Sequence, residues 1–455
     1  MVKEYDIIVI GSGAGLNIAN QARDKGWKVA LFENGPLGGT CLNRGCIPSK
    51  IWTSAADAIR SAEDAAGMGV GTSIDYVDFS LLRSRLRHIV DGDSKSIENA
   101  IDKDPQIDLF RRTAEFVDSK TLQAGMKKVS SERIVIASGV RTRVPEIKGL
   151  EKAGYLRSED VFMIKEPPRS LAILGGGYKA AEFAHFFSAI GVDVTVIGRN
   201  ARFLPSEDAD ASEAVLSRLS ERADFFLGYD IDEVAMANGK KKLTLSSKEE
   251  SADVEADELL LCTGVVSNSD LLKPEMSGIE TDSAGYFIVD KRLRTNVKGV
   301  YALGDALGRN MFRHNANYQS MVVWQNIIGK EVKAEEHAIP HAVFSWPQVA
   351  SVGMTEAEAK ARGFEVLVGH HRYADSGKGY AIRSKEEFVK VVVDRRNKAI
   401  LGATACGPEA SSLIQTVVVM MNSDDGTPRP LIQGQVTHPT LAEVLERAFR
   451  GLHAH

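Results

Sequence analysis

One pattern occurs twice in this chain and restricts how it can fold more than any other. Asp6 to Ile10 is a short apolar run, followed by G-S-G-A-G-L from Gly11 to Leu16 and a helical pattern through Ala22. From Ser170 the pattern begins again: Leu171 to Leu174 is apolar, Gly175, Gly177 and Ala180 give G-x-G-x-x-A, and Tyr178 to Ile190 reads as a helix. A strand feeding a glycine turn and then a helix lets the backbone approach a pyrophosphate, whose charge the helix N-terminus favours. Each copy runs on into a second strand, Val29 to Phe32 and Val192 to Ile197. Two copies imply two dinucleotide sites in an α/β chain.

The ends of those second strands differ. The first ends in Glu33, where an acid is needed for ribose hydroxyls. The second ends at Gly198 with no acid, and Arg199 follows at once, with Arg202 close behind. An Arg here can pair with a 2′-phosphate through a charged, bidentate contact; the alternative is a solvated surface Arg. In the first copy Leu16 stands where a third glycine is usual, which predicts a helix packed less closely on its strand.

With 455 residues the chain is too long for one ordinary core, so two or three domains are expected. A net charge of −5 without a basic block argues against nucleic acid. The best candidate for a membrane span, Leu413 to Met421, is half the needed length and is interrupted by Gln415 and Thr416. Met1 to Tyr5 lead straight into a strand, so no signal peptide is expected. Four cysteines do not make a disulfide framework, and a cytoplasmic protein is expected.

Two of those cysteines lie in G-G-T-C-L-N-R-G-C-I-P-S-K, Gly38 to Lys50. If this segment begins a helix, Cys41 and Cys46 lie about a turn and a half apart, within disulfide reach after some distortion. A zinc site would want two further ligands, and Cys262 and Cys406 are isolated, so no metal is expected. Two unreactive thiols are the other reading. The motif resembles the redox-active disulfide signature of the flavin-dependent pyridine nucleotide–disulfide oxidoreductases, and the resemblance extends over essentially the whole chain.

That resemblance implies a fold of two Rossmann-like domains, for FAD and NAD(P), plus a C-terminal α+β dimerisation domain. Its parts would be 1–148 and 267–335 for FAD, 149–266 for NAD(P) and 336–455 for the dimer interface. Gly11, Gly13, Gly15 and Glu33 would meet FAD, as would Gly39, Thr40 and the turn Ser138-Gly139. G-V-Y-A-L-G-D, Gly299 to Asp305, resembles the second flavin motif and offers Asp305 to the ribityl hydroxyls. Gly175, Gly177, Tyr178 and Gly264 would line the nicotinamide nucleotide site, with Arg199 leaning it toward NADP. Where relatives carry A-T-G-R, this chain has Cys262 and Val265 in place of the Ala and Arg.

By the same resemblance, Cys41 is the thiol that meets substrate and Cys46 the one facing flavin. Lys50 pairs with Glu182 beside the flavin. T-H-P-T-L-A-E, Thr437 to Glu443, supplies His438 as acid–base from the other subunit of a homodimer, with Glu443 as its orienter. Protonated His438 would lower the Cys41 pKa. On residues alone, Pro439 biases His438 away from helix and Thr440 to Glu443 is a capping box, compatible with the orienting role. The implied activity is that of a dihydrolipoyl dehydrogenase acting on a lipoyl-bearing protein or small dithiol. The alternative is NADPH-dependent reduction of a small-thiol disulfide, mycothione reductase-like. A glutathione-contacting Arg would fall at Gln21, and no cysteine follows Cys406.

Elsewhere, Ala55 to Ile101 reads as helix broken at Gly67 to Tyr76. Phe116 to Lys128 and Arg133 to Ala137 read as strands, and Val144 to Pro168 as a connector. Strands are expected near Ala342 to Phe344, Glu365 to His371, Phe388 to Asp394 and Ile400 to Cys406, then helix Ser411 to Met421 and a loop from Ser423 to Pro430.

Overall fold

Runs of four or five consecutive apolar residues suit strands covered on both faces, and both repeats place their runs there. The computed structural model describes residues 2–454. The elements that carry the site begin with β1 (Ile7–Ile10), α1 (Gly15–Asp24), β2 (Val29–Phe32), α2 (Gly39–Arg44), α3 (Cys46–Asp64), β3 (Ile107–Phe110) and β4 (Ile134–Ile136). They continue with β5 (Ser170–Leu174), α4 (Tyr178–Ala189), β6 (Asp193–Gly198), β7 (Ala223–Leu227), β8 (Glu258–Leu261), β9 (Val300–Ala302), α5 (Arg313–Ile327) and α6 (Ala442–Arg450). The chain divides into two compact units.

The first unit takes the chain up to Ser49, Arg83–Arg143 and Gly264–Glu335. Its centre is a parallel sheet in the order β9, β4, β1, β2, β3. Ile7, Ile8 and Val9 are fully buried. Strands leave β1 toward β2 on one side and β4 on the other, so the strand order reverses at its C-terminal end. That is where open α/β sheets bind ligands, and Gly11 stands there.

The run Phe116 to Lys128, read as one strand, is not one. It is divided into Glu115–Phe116, Thr121–Ala124 and Lys127–Ser130, which join Val2–Glu4 in a separate sheet. The Asp118 carboxylate accepts the N–H groups of Lys120 and Thr121, each at 2.8 Å, and so turns the chain. Gly125, at φ +62°, then makes the hairpin tip.

The second unit takes Lys50–Leu82, Val144–Thr263 and the chain from Glu336 on. Its parallel sheet runs Leu156–Arg157, β8, β5, β6, β7, and the order again reverses at the central strand, beside Gly175. The connector Val144 to Pro168 thus contributes an edge strand, and also a short helix, Leu150–Ala153. α3 is held on α4 by aromatic packing: the buried Trp52 ring stacks on Phe186 at 4.5 Å between centroids.

An antiparallel sheet follows in the order Pro340–Val343, Val349–Gly353, Ile400–Cys406, Phe388–Asp394, Val366–Arg372, His453–Ala454. Val349–Gly353 is a strand beyond those the pattern marks, because its Ala, Ser and Gly carry little strand signal. Helix Ala410–Met421 and α6 share a core with this sheet. A short helix, Arg429–Gln433, starts inside the stretch read as loop. Pro430 fits its first turn, where no N–H partner is required. Among the described residues no helix is long and apolar enough to cross a membrane.

Candidate functional site: glycine loops, a cysteine pair and two carboxylate contacts

The first glycine loop is built from close backbone approaches. A Cβ on Gly11, at φ +98°, would lie 2.2 Å from the Ala137 carbonyl oxygen, and one on Gly39 would lie 2.6 Å from the Gly13 Cα. The loop after β1 and the start of α2 therefore cross backbone to backbone, with no room for side chains. Leu16 does not loosen the helix as expected. The close approach to β1 is made at Gly15, where a Cβ would stand 2.9 Å from Val9 Cγ1.

Glu33, at the end of β2, is tied into this loop. Its Oε2 accepts the Ser12 N–H at 3.0 Å and the Ser12 hydroxyl at 2.7 Å, and its Oε1 accepts the Gly35 N–H at 2.8 Å. Ser138-Gly139 forms the turn after β4, with Gly139 at φ +64°; Asn268 Nδ2 donates to the Ser138 carbonyl at 2.9 Å. The Ser138 hydroxyl is buried with no partner among the described residues. Asp305 is half-buried on a turn beyond β9, beside Gly304, whose N–H donates to Gln319 Oε1 at 2.7 Å. A bare-backbone cradle, an acid at the second strand and an orphaned hydroxyl fit a dinucleotide such as FAD.

The cysteine motif is two helices rather than one. α2 stops at Gly45, whose Cβ would stand 3.0 Å from the Thr40 carbonyl oxygen, and α3 starts at Cys46. This interruption supplies the distortion that the five-residue spacing demands. Both cysteines are free thiols, with Cys41 half-buried and Cys46 exposed. The neighbouring Cys46 thiol, then burial, push the Cys41 thiol well above its ordinary range, while Arg313 pulls it down. The lowered value expected from His438 is thus not a property of the pair within this chain. Asn43, which motif reading passed over, holds the loop: its buried amide donates to the Leu37 and Gly39 carbonyls, each at 2.9 Å.

In the second unit, α4 carries Glu182, 6% exposed, whose Oε1 lies 2.6 Å from Lys50 Nζ. The Phe344 N–H donates to the same oxygen at 3.2 Å, and the Lys50 ammonium sits 4.2 Å from the centre of the Phe344 ring. Phe344 has no motif signal of its own; its place comes from the end of the strand Pro340–Val343.

The second glycine loop repeats the first: a Cβ on Gly175 would lie 2.3 Å from the Cys262 carbonyl oxygen. Gly177 precedes α4, whose first residue, Tyr178, is exposed. Gly264 is exposed at φ +89°. A Cβ on Gly198 would meet Leu227 Cδ2 at 3.0 Å and the Gly176 Cα at 3.7 Å, so this strand end has little space for an acid. Arg199 is exposed, and no ion pair engages it among the described residues.

His438 is exposed, and its Nδ1 lies 2.9 Å from Glu443 Oε1. The His438 hydrogen bond, then the Thr440 N–H, hold the Glu443 carboxyl below its usual range. The capping box is only half made. Glu443 Oε2 accepts the Thr440 N–H at 3.0 Å, but the Thr440 hydroxyl donates backward to the Thr437 carbonyl. Among the described residues no group of three or more His, Cys, Asp or Glu could hold a metal.

Residues 5–320 match the pyridine nucleotide-disulphide oxidoreductase family, and residues 339–449 match its dimerisation domain, which supports a homodimer. The chain is 34% identical over 465 residues to mycothione reductase from Mycobacterium tuberculosis, covering 99% of this chain and 100% of that one. It is also 34% identical over 462 residues to dihydrolipoyl dehydrogenase from Chlorobaculum parvum, covering 99% and 97%. The HOCl-induced flavoprotein disulfide reductase RclA from Escherichia coli superposes with a TM-score of 0.87 at 28% identity, covering 99% of both chains in its Cu(II) complex. The chain is therefore a member of the pyridine nucleotide-disulphide oxidoreductase family, flavoprotein enzymes that use FAD and a pyridine nucleotide.

Proposed function

We propose that the chain moves two electrons between a dithiol and NAD(P) through Cys41 and Cys46, and the observation that carries this is the placing of two free thiols on either side of the helix break at Gly45. Bound FAD supplies the two-electron relay between the nicotinamide and the sulfurs. In the dehydrogenase direction, a substrate dithiol and NAD(P)+ become a disulfide, NAD(P)H and one proton. Cys41 exchanges with the substrate sulfurs and Cys46 closes the enzyme disulfide. Thiolate rather than thiol is the nucleophile. His438 of one subunit takes the proton at the cysteine pair of the other: Glu443 on Nδ1 keeps an N–H there and leaves Nε2 to accept. By the family resemblance Lys50, held by Glu182, would be the cation that meets the flavin when it is bound. The four-segment division at 148, 266 and 335 belongs to this reading, as does a cytoplasmic setting.

For the substrate, the first reading is dihydrolipoamide or a lipoyl-bearing protein, supported by H-P-T-L-A-E and the dihydrolipoyl dehydrogenase relative. A short apolar arm presenting a dithiolane needs only a narrow approach to Cys41 and a base. One observation favours a second reading, reduction of a small-thiol disulfide by NADPH. The crowding at Gly198 disfavours the acid that would select NAD, and Arg199 is left for a 2′-phosphate, in line with the mycothione reductase relative. Steady-state assays with lipoamide, a lipoylated carrier domain, glutathione disulfide and mycothione disulfide decide between them. On the first reading kcat/KM for lipoyl substrates exceeds that for glutathione disulfide by about a hundredfold. Efficient turnover of mycothione disulfide with poor lipoyl turnover establishes the second.

A further inference from the structure

We propose that Arg313 is the electrostatic partner of the reduced cysteine pair, the side chain that stabilises negative charge on Cys41. The inference rests on the redox reading of that pair. Arg313 opens α5 and is half-buried. Its Nη1 lies 3.6 Å from where a Cβ on Gly13 would stand. Gly13 in turn lies against Gly39, the first residue of α2 and two positions before Cys41. Among the described residues no hydrogen bond or ion pair engages the Arg313 guanidinium. A half-buried cation without a carboxylate loses hydration that no described residue replaces, so its position suits an anion.

The sulfur pair can provide that anion. Cys46, from α3, and burial both oppose ionisation of Cys41, and Arg313 is the cation that favours it. Arg44, the cation of α2 itself, is turned elsewhere: its Nη2 lies 3.1 Å from the Cβ position of Gly35, beside Glu33 Oε1. The N-terminus of α5 adds positive potential at the same end of the helix. Nothing in the cysteine motif signals this arrangement, because Arg313 lies outside it and far along the chain.

The test is the pH dependence of Cys41 alkylation by iodoacetamide in a Cys46→Ser background, which needs no turnover. It is run on FAD-loaded and FAD-stripped protein. Arg313→Met should raise the alkylation midpoint by about one pH unit, a roughly tenfold slower reaction at neutral pH. Arg313→Lys should restore most of the rate. If Arg313→Met does not fold, Arg313→Gln, which is shorter but keeps a neutral hydrogen-bonding head, takes its place with the same expected shift. An unchanged midpoint overturns the proposal. So does loss of FAD with an unchanged midpoint, which would assign Arg313 to the cofactor phosphates. Failure of the redox reading is separate: the unmodified enzyme would then show no thiolate–flavin absorption on reduction, whatever the alkylation series gives.

Discussion

Lys50 Nζ and Glu182 Oε1 are 2.6 Å apart, although 132 residues separate them in the chain. The Glu182 side chain is 7% exposed and that of Lys50 31%, so the carboxylate depends on the ammonium more than the ammonium on it. Lys50→Met leaves a buried carboxylate with the Phe344 N–H as its remaining contact of those described above. A loss of about 2–4 kcal/mol is expected, below the upper range for fully buried pairs because Lys50 is partly solvated. Denaturant melts of Lys50→Met, Glu182→Gln and the double variant check it. The double variant should be more stable than Lys50→Met alone.

Purified protein should be yellow, with one FAD per chain, and anaerobic two-electron reduction should give a long-wavelength thiolate–flavin band. Cys46→Ser should abolish the band while FAD stays bound, because Gly11, Gly13 and Glu33 are untouched. A band that survives in this variant would show that the pair is not the redox centre.

His438→Ala should lower dithiol turnover about a hundredfold, the usual worth of a general acid–base group, while NAD(P)H still reduces the flavin. Mixed dimers of His438→Ala and Cys41→Ser chains should recover part of the activity if the site is shared between subunits. Activity measured after subunit exchange decides it, and no recovery would place the whole site within one chain.

The imidazole of His341 reads pH at a different place. Its Nε2 lies 2.9 Å from Oε1 of Glu207, a buried residue whose Oε2 also accepts the Ser351 hydroxyl at 3.1 Å. Burial works against the charged ring, but the Glu207 hydrogen bond and charge outweigh it and raise the His341 pKa. A raised folded-state pKa means this contribution is fully present below the unfolded value of about 6.5. It is lost as pH rises through the folded value. Melting temperature should therefore fall as pH is taken upward from about 6.5, and His341→Gln should remove that slope; an identical slope in the variant would discard the assignment.

On the NADPH reading proposed above, nucleotide preference turns on Arg199. A charged hydrogen-bonded contact contributes about 1.5–3 kcal/mol, which favours NADP over NAD by about ten- to a hundredfold, and Arg199→Ala should erase that margin in kcat/KM. Equal kinetics with NADH in the unmodified enzyme would make Arg199 a surface residue. Gly198→Glu alone should convert poorly to NAD use, since Leu227 must move; Gly198→Glu with Leu227→Ala should convert better.

What the sequence determined by itself was local. The strands at Val29–Phe32, Phe388–Asp394 and Ile400–Cys406 have the bounds the apolar runs mark, because burial on both faces is written into consecutive residues. The glycine turns are legible for the same reason: positive φ at Gly11 and Gly175 is a property of one residue. Tertiary structure decided what depends on residues far apart. Leu16 was no obstacle because Gly15 meets Val9. Gly198 is crowded by Leu227 and Gly176, and the Phe344 N–H reaches Glu182 across 162 residues. Arg313 acquires its neighbours only when α5 is laid beside the first glycine loop. Spacing along a chain records torsional and burial preferences, whereas the charge and crowding that a side chain meets are set by whatever the fold brings against it.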